Sequence, residues 1–441
     1  MTSHRFLESK AIFGEIMKIK KLLMVILITV CMVAGLSGCA TYDNFKDTFF
    51  TDKGAGADTI KIGVLEPTTG ENSSYGKAEI RGIEIAHKLH GKVLGKKVEL
   101  VYEDTQSSIY TTQSAIQNIL EKKPAVVLGT YGDACSLAAG EYLRDAKVPG
   151  ITISATNPLV TENNEYYFRT SFSEAIQGYA TAEYAVKSLN QNKVAVVSVE
   201  GDDTVSDMVN NFTRKCKGLY TVTKTKKVVK VTKKVKKKKV TTKQTITVAE
   251  KHPVTCQEIQ IKQDGSDLDA CIEQIRKSGV RTIFMATSFD SGKTFAGELD
   301  RLKVNGVTLI GPKEWHNNKL LSLQSGLKGI KIAVASDFNG ETAETKNYKE
   351  FTEAYQKKYG NKNQDQGTVM AYDAYMLAIE AIEKAGSTDG AKVRDALAKT
   401  RDYSGASGVI TFNKLGVPSK PVNIDVIKDG AFKTVYVYKV K

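Results

Sequence analysis

The sequence is poor in the residues that build several specialised protein classes. Eight prolines and six cysteines among 441 residues exclude a collagen-like chain and a disulfide-dense scaffold. Only five histidines are present, and none stands in a pattern typical of a catalytic triad. No G-x-S-x-G motif occurs, and Thr287 stands where a phosphate loop ending in "DSGKT" needs its first glycine. We therefore expect no enzyme activity and no cofactor.

A metal site is not expected either. His87 and His90 lie three residues apart in a predicted helix, a spacing that suits metal binding. No cysteine or third ligand stands near them in the sequence. We therefore interpret these histidines as a solvated pair.

Positive charge is concentrated rather than spread along the chain. The formal net charge is +14, but residues 224–243 alone carry 11 lysines and no acidic residue. Residues 1–38 carry three further net positive charges, which leaves the remaining chain neutral. Because a neutral body offers no electrostatic footprint for a phosphate backbone, nucleic acid is not an expected partner.

One long apolar run is present, near the start of the chain. The basic "MKIKK" beginning at Met17 precedes 14 apolar residues, "LLMVILITVCMVAG" (22–35), which is short for a spanning helix. The next four residues, "LSGC" (36–39), look like a bacterial lipobox, in which the Cys39 thiol takes the lipid. A plain membrane anchor is the alternative.

These features predict how the chain is processed. Residues 1–38 are expected to be a signal peptide with a lipobox, and a start at Met17 would leave residues 1–16 untranslated. Residues 39–58 would form a polar tether. We expect the mature protein at the outer face of the bacterial cytoplasmic membrane, held in membrane lipid through Cys39, or in the periplasm.

Strand and helix patterns alternate along the rest of the chain. Apolar runs such as "TIKIGVLEP" (59–67) predict strands, and amphipathic runs such as "TTQSAIQNILEKK" (111–123) predict the helices between them. The alternation restarts near residue 174 and continues through "KVAVVSVEG" (193–201). The pattern predicts two α/β lobes with parallel sheets. Since ligands bind beyond the carboxyl ends of such strands, two facing lobes would form a cleft.

Two hairpins are predicted in addition. Val, Thr and Lys dominate residues 219–255, which predicts a lysine-rich β-hairpin with its tip near 236–239, or a partly disordered loop. Its simplest role is a solvated insertion in the second lobe. The alternative is attachment of 224–243 to an anionic cell-wall polymer or to lipid headgroups. Near the C-terminus, residues 421–440 predict a second hairpin that turns at Asp429-Gly430.

Four cysteines besides Cys39 follow the signal segment, namely Cys135, Cys216, Cys256 and Cys271. Cys216 and Cys256 flank the lysine-rich stretch, so a disulfide closing its base is one interpretation. Free buried thiols are the other.

Several stretches of the chain match one known pattern in their order and spacing. Among them are "IGVLEPTTGENSSYGKAEIRGIEIA", "VPGITISATNPLVTE", "YYFRTSFSEAIQG" and "AYDAYMLAIEAIEKAG". Together they resemble the branched-chain amino-acid-type (Leu/Ile/Val-binding) solute-binding proteins of ABC importers, which have the periplasmic-binding-protein type I fold. The resemblance covers about residues 59–438, apart from the lysine-rich insertion.

The resemblance implies two doubly wound parallel-sheet lobes joined by a three-strand hinge. The first lobe would hold residues 59–176 and 337–412, and the second would hold 177–336 and 413–441. A ligand that contacts both lobes would favour a closed form, because only that form makes both sets of contacts. The closed form would then dock on an ABC permease in the membrane.

The resemblance also implies ligand-binding residues in the first lobe. The family holds a ligand carboxylate there with hydroxyls and backbone N–H groups, at the place of Ser154, Ala155 and Thr156. Tyr75 matches an aromatic residue that lines the pocket. The simpler roles are a turn-forming hydroxyl for Thr156 and a half-buried loop tyrosine for Tyr75.

Asp133 departs from the pattern, because it falls where the family usually has a carboxylate-binding serine. Two carboxylates about 4 Å apart repel each other, so Asp133 facing the cleft would alter the usual carboxylate pocket. Capping of the following helix is the alternative role. Ser136, one turn later, would supply the missing hydroxyl.

The second lobe departs as well. Thr204 stands near the place of a family tyrosine, and Lys313 stands where the family has the acid that pairs with the ligand ammonium. Glu314 follows one residue later and is a candidate ligand-binding residue, although it is not an automatic substitute for that acid because a side chain one position along points in another direction. Trp315 and Phe289 match aromatic wall positions, with core packing as the alternative for both.

We therefore predict a lipid-anchored solute-binding protein that delivers a small ligand, an amino acid or a related amine or amide, to an ABC permease. The departures at Asp133 and Lys313 lead to the hypothesis that the ligand is not a plain aliphatic amino acid in the usual pose. The alternative function is a ligand sensor, or an adhesion protein that uses its lysine-rich hairpin.

Overall fold

The computed structural model describes residues 59–235, 238–338, 340, 345–360 and 364–440. The predicted signal peptide, lipobox and tether lie outside these residues. Among the described helices, none combines the length and the apolar character needed to span a membrane.

The described residues form 17 β-strands and 11 α-helices. In chain order the strands are β1 Thr59–Glu66, β2 Lys92–Val93, β3 Lys96–Asp104, β4 Val126–Gly129, β5 Gly150–Thr152, β6 Tyr167–Arg169, β7 Lys193–Val199, β8 Tyr220–Val235, β9 Lys238–Pro253, β10 Thr255–Ile261, β11 Thr282–Met285, β12 Val307–Gly311, β13 Ile330–Ser336, β14 Tyr403–Gly405, β15 Gly408–Ile410, β16 Val422–Lys428 and β17 Ala431–Tyr438. The helices are α1 Ser73–Leu89, α2 Ile109–Glu121, α3 Asp133–Ala146, α4 Glu174–Glu183, α5 Ser206–Lys217, α6 Leu268–Ser278, α7 Phe289–Arg301, α8 Asn318–Gly326, α9 Lys346–Tyr359, α10 Gln366–Ala385 and α11 Gly390–Ala398.

The first sheet has the strand order β2-β3-β1-β4-β5-β6. Every neighbouring pair in it is parallel except β2 and β3. Its central strand β1 is fully buried from Ile62 to Glu66, as expected for a parallel strand covered on both faces. Ile62, Val64 and Leu128 pack with α1 and α10, while Leu65 and Val127 pack with α2 and α3 on the opposite face.

The second sheet has the order β10-β7-β11-β12-β13-β16-β17. Its first five strands are parallel, and β16 and β17 join antiparallel at one edge. Helices again cover both faces, with Val197 and Ile283 on one side and Val196 and Phe284 on the other. The predicted fold class, α/β with two doubly wound, mainly parallel sheets, is confirmed.

The predicted C-terminal hairpin is confirmed as β16 and β17. Lys428 pairs with Ala431, so Asp429 and Gly430 form the turn. Their φ angles are +54° and +75°, the pair of left-handed conformations that a two-residue type I′ turn requires. Glycine at the second position adopts this conformation without a steric penalty.

Helix α10 packs on the first sheet although it lies far from that sheet's strands in the sequence. Its Met370, Tyr372 and Tyr375 join the core formed by β1 and α1. Close approach of α1 and α10 depends on Gly82, because a Cβ there would lie 2.0 Å from the Thr368 carbonyl oxygen. The lobe boundaries themselves stay a prediction, since Asp58–Lys441 form one compact unit.

The chain passes between the two sheets three times. The crossings lie between β6 and α4, between β13 and α9, and between β15 and β16. Asp337, at the second crossing, accepts a hydrogen bond at Oδ1 from the Phe172 backbone N–H of the first crossing, at 3.0 Å. Lys420, at the third crossing, lies 3.8 Å from the same oxygen. A single buried carboxylate therefore links all three crossings.

The lysine-rich segment forms a two-stranded antiparallel hairpin rather than a loop. Its strands β8 and β9 are 16 residues each and pair from Tyr220 with Pro253 to Val235 with Lys238. At about 3.3 Å per residue, such a ribbon is roughly 50 Å long. Val228 is 64% exposed, and Lys224 and Lys227 are also exposed. Most of the hairpin side chains that the structure describes are therefore exposed to solvent rather than packed in a core.

The four described cysteines, Cys135, Cys216, Cys256 and Cys271, are free thiols. Of the two interpretations, free thiols are the one observed. The Cys216 and Cys256 thiols are nevertheless neighbours at the base of the hairpin, where their hydrogen bond raises the pKa of Cys216 and lowers that of Cys256.

Candidate functional site

A cavity of about 180 Å³ opens between the carboxyl ends of the two sheets. The first lobe lines it with residues that follow β1, β4 and β5, the second with residues that follow β12, and the start of α10 closes one side. The lining residues are Tyr75, Glu79, Tyr131, Gly132, Asp133, Ser154, Lys313, Glu314, His316, Asp365, Gln366, Gly367 and Met370. This is the place where doubly wound sheets bind ligands.

Asp133 lines the cavity and does not cap α3. Gly132 is the N-cap residue of that helix, and Asp133 is its first residue. Asp133 Oδ1 accepts hydrogen bonds from the backbone N–H groups of Thr156, at 2.7 Å, and Asn157, at 2.9 Å. These are backbone donors of the loop that the sequence predicted to hold a ligand carboxylate. In this structure they bind a carboxylate of the protein itself.

The other first-lobe candidates divide into two groups. Ser154 lines the cavity, and its buried Oγ has no hydrogen-bond partner among the described residues. Thr156 is buried and donates from Oγ1 to Glu174 Oε1 at 3.4 Å. Ala155 is buried, and Ser136 Oγ donates to the Gly132 carbonyl oxygen at 2.7 Å. The structure therefore does not bring Ser136 or Ala155 to the cavity wall.

Buried Arg169 holds the loop that carries these residues. Its guanidinium donates to the carbonyl oxygens of Ala155, at 3.3 Å, and Asn157, at 2.7 Å. It also donates to the Thr161 hydroxyl at 3.1 Å. Burial lowers the pKa of Arg169 to about 10, with Asp133 opposing that effect. The positive charge of Arg169 therefore organises the loop and is not offered to the cavity.

In the second lobe, Glu314 and Lys313 line the cavity in different ways. Glu314 has an exposed surface in the cleft, but the protein packed around its carboxyl group desolvates it and raises its pKa, with Asp133 contributing to the rise. Lys313 is 5% exposed, and its Nζ donates to Asp337 Oδ2 at 2.9 Å. The ammonium of Lys313 is thus paired inside the protein and is not a free cation at the cavity wall.

The predicted aromatic wall is part of the second-lobe core. Trp315 is fully buried, and its Nε1 donates to the Thr287 carbonyl oxygen at 2.9 Å. Phe289 packs edge-on against the indole with ring centroids 6.1 Å apart. Neither aromatic residue lines the cavity. Thr204 does not line it either; this exposed residue donates a backbone hydrogen bond to Asp202. Trp315 thus packs in the core, and the half-buried Phe289 packs against it.

The structure brings in three residues that sequence reasoning missed, namely Tyr131, Glu79 and Asp365. The ring of Tyr131 stacks on that of the predicted Tyr75 in the cavity wall, with centroids 4.8 Å apart and planes inclined by 9°. Glu79 lies four residues after Tyr75 and therefore on the same face of α1, a spacing that the sequence already contained. Asp365 caps α10 by accepting from the Gly367 N–H at 2.8 Å. Only the fold brings that residue to the cleft.

Two carboxyl groups are buried together behind the tyrosines. Burial, and Glu79 beside it, raise the pKa of Glu66 well above its usual range, although Tyr131 N donates to Glu66 Oε2 at 3.0 Å. Burial raises the pKa of Glu79 to about 7. This pair therefore retains a proton at neutral pH.

The raised pKa of Glu174 predicts how the stability of the protein depends on pH. Burial, together with Asp133 and Glu314, raises its pKa to about 9 from 4.5. Between those values the unfolded chain releases the proton that the folded protein keeps, so stability falls as pH rises, by up to about 1.4 kcal/mol per pH unit. We expect Glu174→Gln to match the wild type near pH 5 and to be more stable at pH 8, by urea unfolding. Replacement of the exposed Glu162 by Gln is the control. If the free energy of unfolding of Glu174→Gln depended on pH as that of the wild type does, the expectation would be contradicted.

Among the described residues, no group of three or more His, Cys, Asp or Glu side chains is arranged to hold a metal ion. His87 Nδ1 lies 3.1 Å from the Tyr375 hydroxyl, and His90 Nε2 lies 3.2 Å from Glu350. The two histidines thus have separate protein partners.

Comparison with known proteins gives one consistent result. The Periplasmic binding protein family model matches residues 59–229 and 218–431. The Leu/Ile/Val-binding protein homolog 3 of Brucella melitensis is 24% identical over 376 residues, 84% of this chain and 91% of that protein. An amino acid binding protein of Pseudomonas aeruginosa is 31% identical over 146 residues, 32% of this chain and 39% of its own length.

A solved structure extends the likeness to the fold. The crystal structure of the leucine binding protein LivK of Thermotoga maritima has a TM-score of 0.71 and 26% identity, covering 86% of this chain and 99% of that one. The resemblance stated from the sequence is confirmed. With two mainly parallel sheets, a cleft at their carboxyl ends and a family match over most of its length, the chain belongs to the periplasmic binding protein family of solute-binding proteins.

Proposed function

We propose that this solute-binding protein captures a small ligand, an amino acid or a related amine or amide, in the cleft between its lobes and delivers it to an ABC permease. The observation that carries the proposal is a cavity of about 180 Å³ lined from both lobes. Tyr75 and Asp133 line it from one lobe, and Glu314 lines it from the other. A ligand that contacts both walls stabilises the closed form.

Ligand capture is tested by thermal unfolding and small-angle X-ray scattering across a panel of amino acids, amines and amides. At a hundredfold excess over the dissociation constant, a true ligand raises the unfolding midpoint by roughly 3 °C. The same ligand should reduce the radius of gyration. Tyr75→Ala should weaken the response, while Tyr110→Ala, which removes an 84% exposed tyrosine elsewhere on the first lobe, should not. If no compound changed the scattering profile or the unfolding midpoint, the proposal would be contradicted.

The proposed anchor is the lipid on Cys39, which holds the protein outside the cytoplasmic membrane. We expect the wild type to incorporate labelled palmitate and to sediment with membranes, and Cys39→Ser to do neither. Cys31→Ser changes a cysteine of the apolar run that processing would remove, so its labelling should match the wild type. Labelling of Cys39→Ser would place the lipid on another residue.

The hairpin supports an added role in attachment to an anionic cell-wall polymer through residues 224–243. Its exposed lysines form a long basic ribbon outside both sheets. The test is a deletion of Val222–Lys251. Thr221 and His252 pair directly, so an Asn-Gly turn can join them. The deletion should change the unfolding midpoint by less than about 1 °C. The deletion should also lower the salt concentration needed for elution from a polyanion resin. Unchanged elution would rule out the attachment role.

A further inference from the structure

The backbone donors that would bind a ligand anion in this cleft are already occupied, whereas the buried Ser154 hydroxyl has no hydrogen-bond partner among the described residues. The N–H groups of Thr156 and Asn157 both donate to Asp133 Oδ1, at 2.7 and 2.9 Å. The next backbone donor along the wall, the Tyr131 N–H, donates to Glu66 at 3.0 Å. Ser136 Oγ is directed to main-chain carbonyl oxygens. A carboxylate brought by a ligand would therefore compete with carboxylates that are part of the protein.

The basic side chains beside the cleft, Lys313 and His316, have protein partners as well. Lys313 Nζ is bound to Asp337 at 2.9 Å. His316 Nε2 lies 3.0 Å from Asp425 Oδ2, and its ring stacks on Phe432 with centroids 3.8 Å apart. No lining residue of the described cavity thus offers an unpaired positive charge to a ligand anion.

Acceptors for a cation are free at the same wall. Asp133 Oδ2 and Asp365 Oδ2 receive no hydrogen bond from a described residue, and Glu314 is exposed to the cleft. Asp133 begins α3 after β4, Asp365 precedes α10 and Glu314 follows β12, so these carboxylates surround the cavity from both lobes. The stacked rings of Tyr75 and Tyr131 add aromatic surface, which attracts organic cations by cation–π interaction.

We propose that the cleft binds an organic ammonium ion that carries no carboxylate, with Asp133 standing in for the carboxylate that an amino-acid ligand would supply. This inference rests on the proposed ligand-capture function and names its ligand class. The Asp133 carboxylate satisfies the loop donors, and its free oxygen, with Glu314 and Asp365, receives the ammonium group. Repulsion between carboxylates at about 4 Å disfavours a zwitterion in the same pose.

The test is a matched pair of ligands measured by isothermal titration calorimetry. Leucine and 3-methylbutylamine share the same alkyl chain and ammonium group, and only leucine has the carboxylate. We expect the wild type to bind 3-methylbutylamine or the diamine putrescine at least about tenfold more tightly than leucine. Tighter binding of leucine than of either amine would overturn the inference.

Two variants link the result to named groups. Asp133→Ser frees the Thr156 and Asn157 N–H groups, so it should weaken amine binding and strengthen leucine binding by at least about tenfold each. Asp145→Ser, at the exposed far end of the same helix, is the matched control and should change neither. Glu314→Gln, an isosteric change at an exposed site, should weaken amine binding without weakening leucine binding, and it serves if Asp133→Ser does not fold.

The outcomes separate this inference from the proposed function. Closure on leucine, but not on amines, would overturn the amine assignment and leave ligand capture intact. Absence of heat and of any scattering change with amines, amides and amino acids alike would overturn both. If Asp133→Ser left the relative affinities for the amine and for leucine unchanged, Asp133 would not determine the ligand class.

Discussion

Replacing Asp337 with alanine is expected to destabilise the protein by about 3–5 kcal/mol, because removing one partner of a buried ion pair leaves the other charge uncompensated. Asp337 is 1% exposed, and the ammonium groups that face it, Lys313 and Lys420, are 5% and 1% exposed. Burial lowers the pKa of Lys420, and Asp337 opposes that decrease. The variant would also lose the acceptor for the Phe172 N–H.

Urea unfolding followed by circular dichroism measures this effect. The matched control is Asp269→Ala, which removes an exposed partner of Arg301 and should leave the unfolding midpoint unchanged. Adding Lys313→Met to Asp337→Ala should recover part of the loss, because it removes one of the uncompensated charges. A loss below about 1 kcal/mol for Asp337→Ala would mean that the two lysines find other compensation.

Replacing Trp315 with alanine is expected to cost about 3–5 kcal/mol through the cavity it leaves in the second-lobe core. The indole fills the space between two glycines: a Cβ on Gly292 would lie 1.8 Å from Cζ2, and a Cβ on Gly311 would lie 2.3 Å from Cε3. The two backbones approach the ring that closely only because glycine stands at both positions. Loss of the ring therefore removes its contacts with both of these backbone segments.

Thermal and urea unfolding by circular dichroism test this expectation. Trp315→Phe should lose less stability, since a ring remains, although the hydrogen bond to the Thr287 carbonyl oxygen is gone. Leu159→Ala, at a 59% exposed position, is the control and should change stability little. If Trp315→Ala were as stable as Leu159→Ala, the indole would not be the core residue that its burial indicates.

The fold was predictable from local patterns because each strand of a parallel sheet is an apolar run in its own right. β1 is the clearest case, since its buried positions are nearly continuous. The turn at Asp429-Gly430 was predictable for a different reason, since the dipeptide itself favours the required φ values. Neither prediction depends on residues distant in the sequence.

The site was predictable only in part. The resemblance led to Tyr75, Asp133, Ser154 and Glu314, all of which line the cavity. What Asp133 binds depends on where the loop at Thr156 lies, and Lys313 is neutralised by Asp337, 24 residues further along the chain. A position matched by resemblance gives the residue type and not the direction of its side chain.

Trp315 illustrates the same limit. The resemblance placed Trp315 at an aromatic wall position of the cleft, yet the indole turns into the core. The glycines that receive it lie 23 and 4 positions earlier, on α7 and at the end of β12. Sequence spacing alone does not indicate that these three residues meet.

Trp315 is the only tryptophan in the sequence, and it follows Glu314, which lines the cleft. Native fluorescence excited at the red edge of the absorption band therefore comes from one chromophore in a dry, rigid environment. Its emission should shift to longer wavelengths when the second lobe unfolds. A change in Trp315 emission when a solute is added arises one residue away from the cleft. Ligand titrations of this protein can therefore be followed without an attached dye.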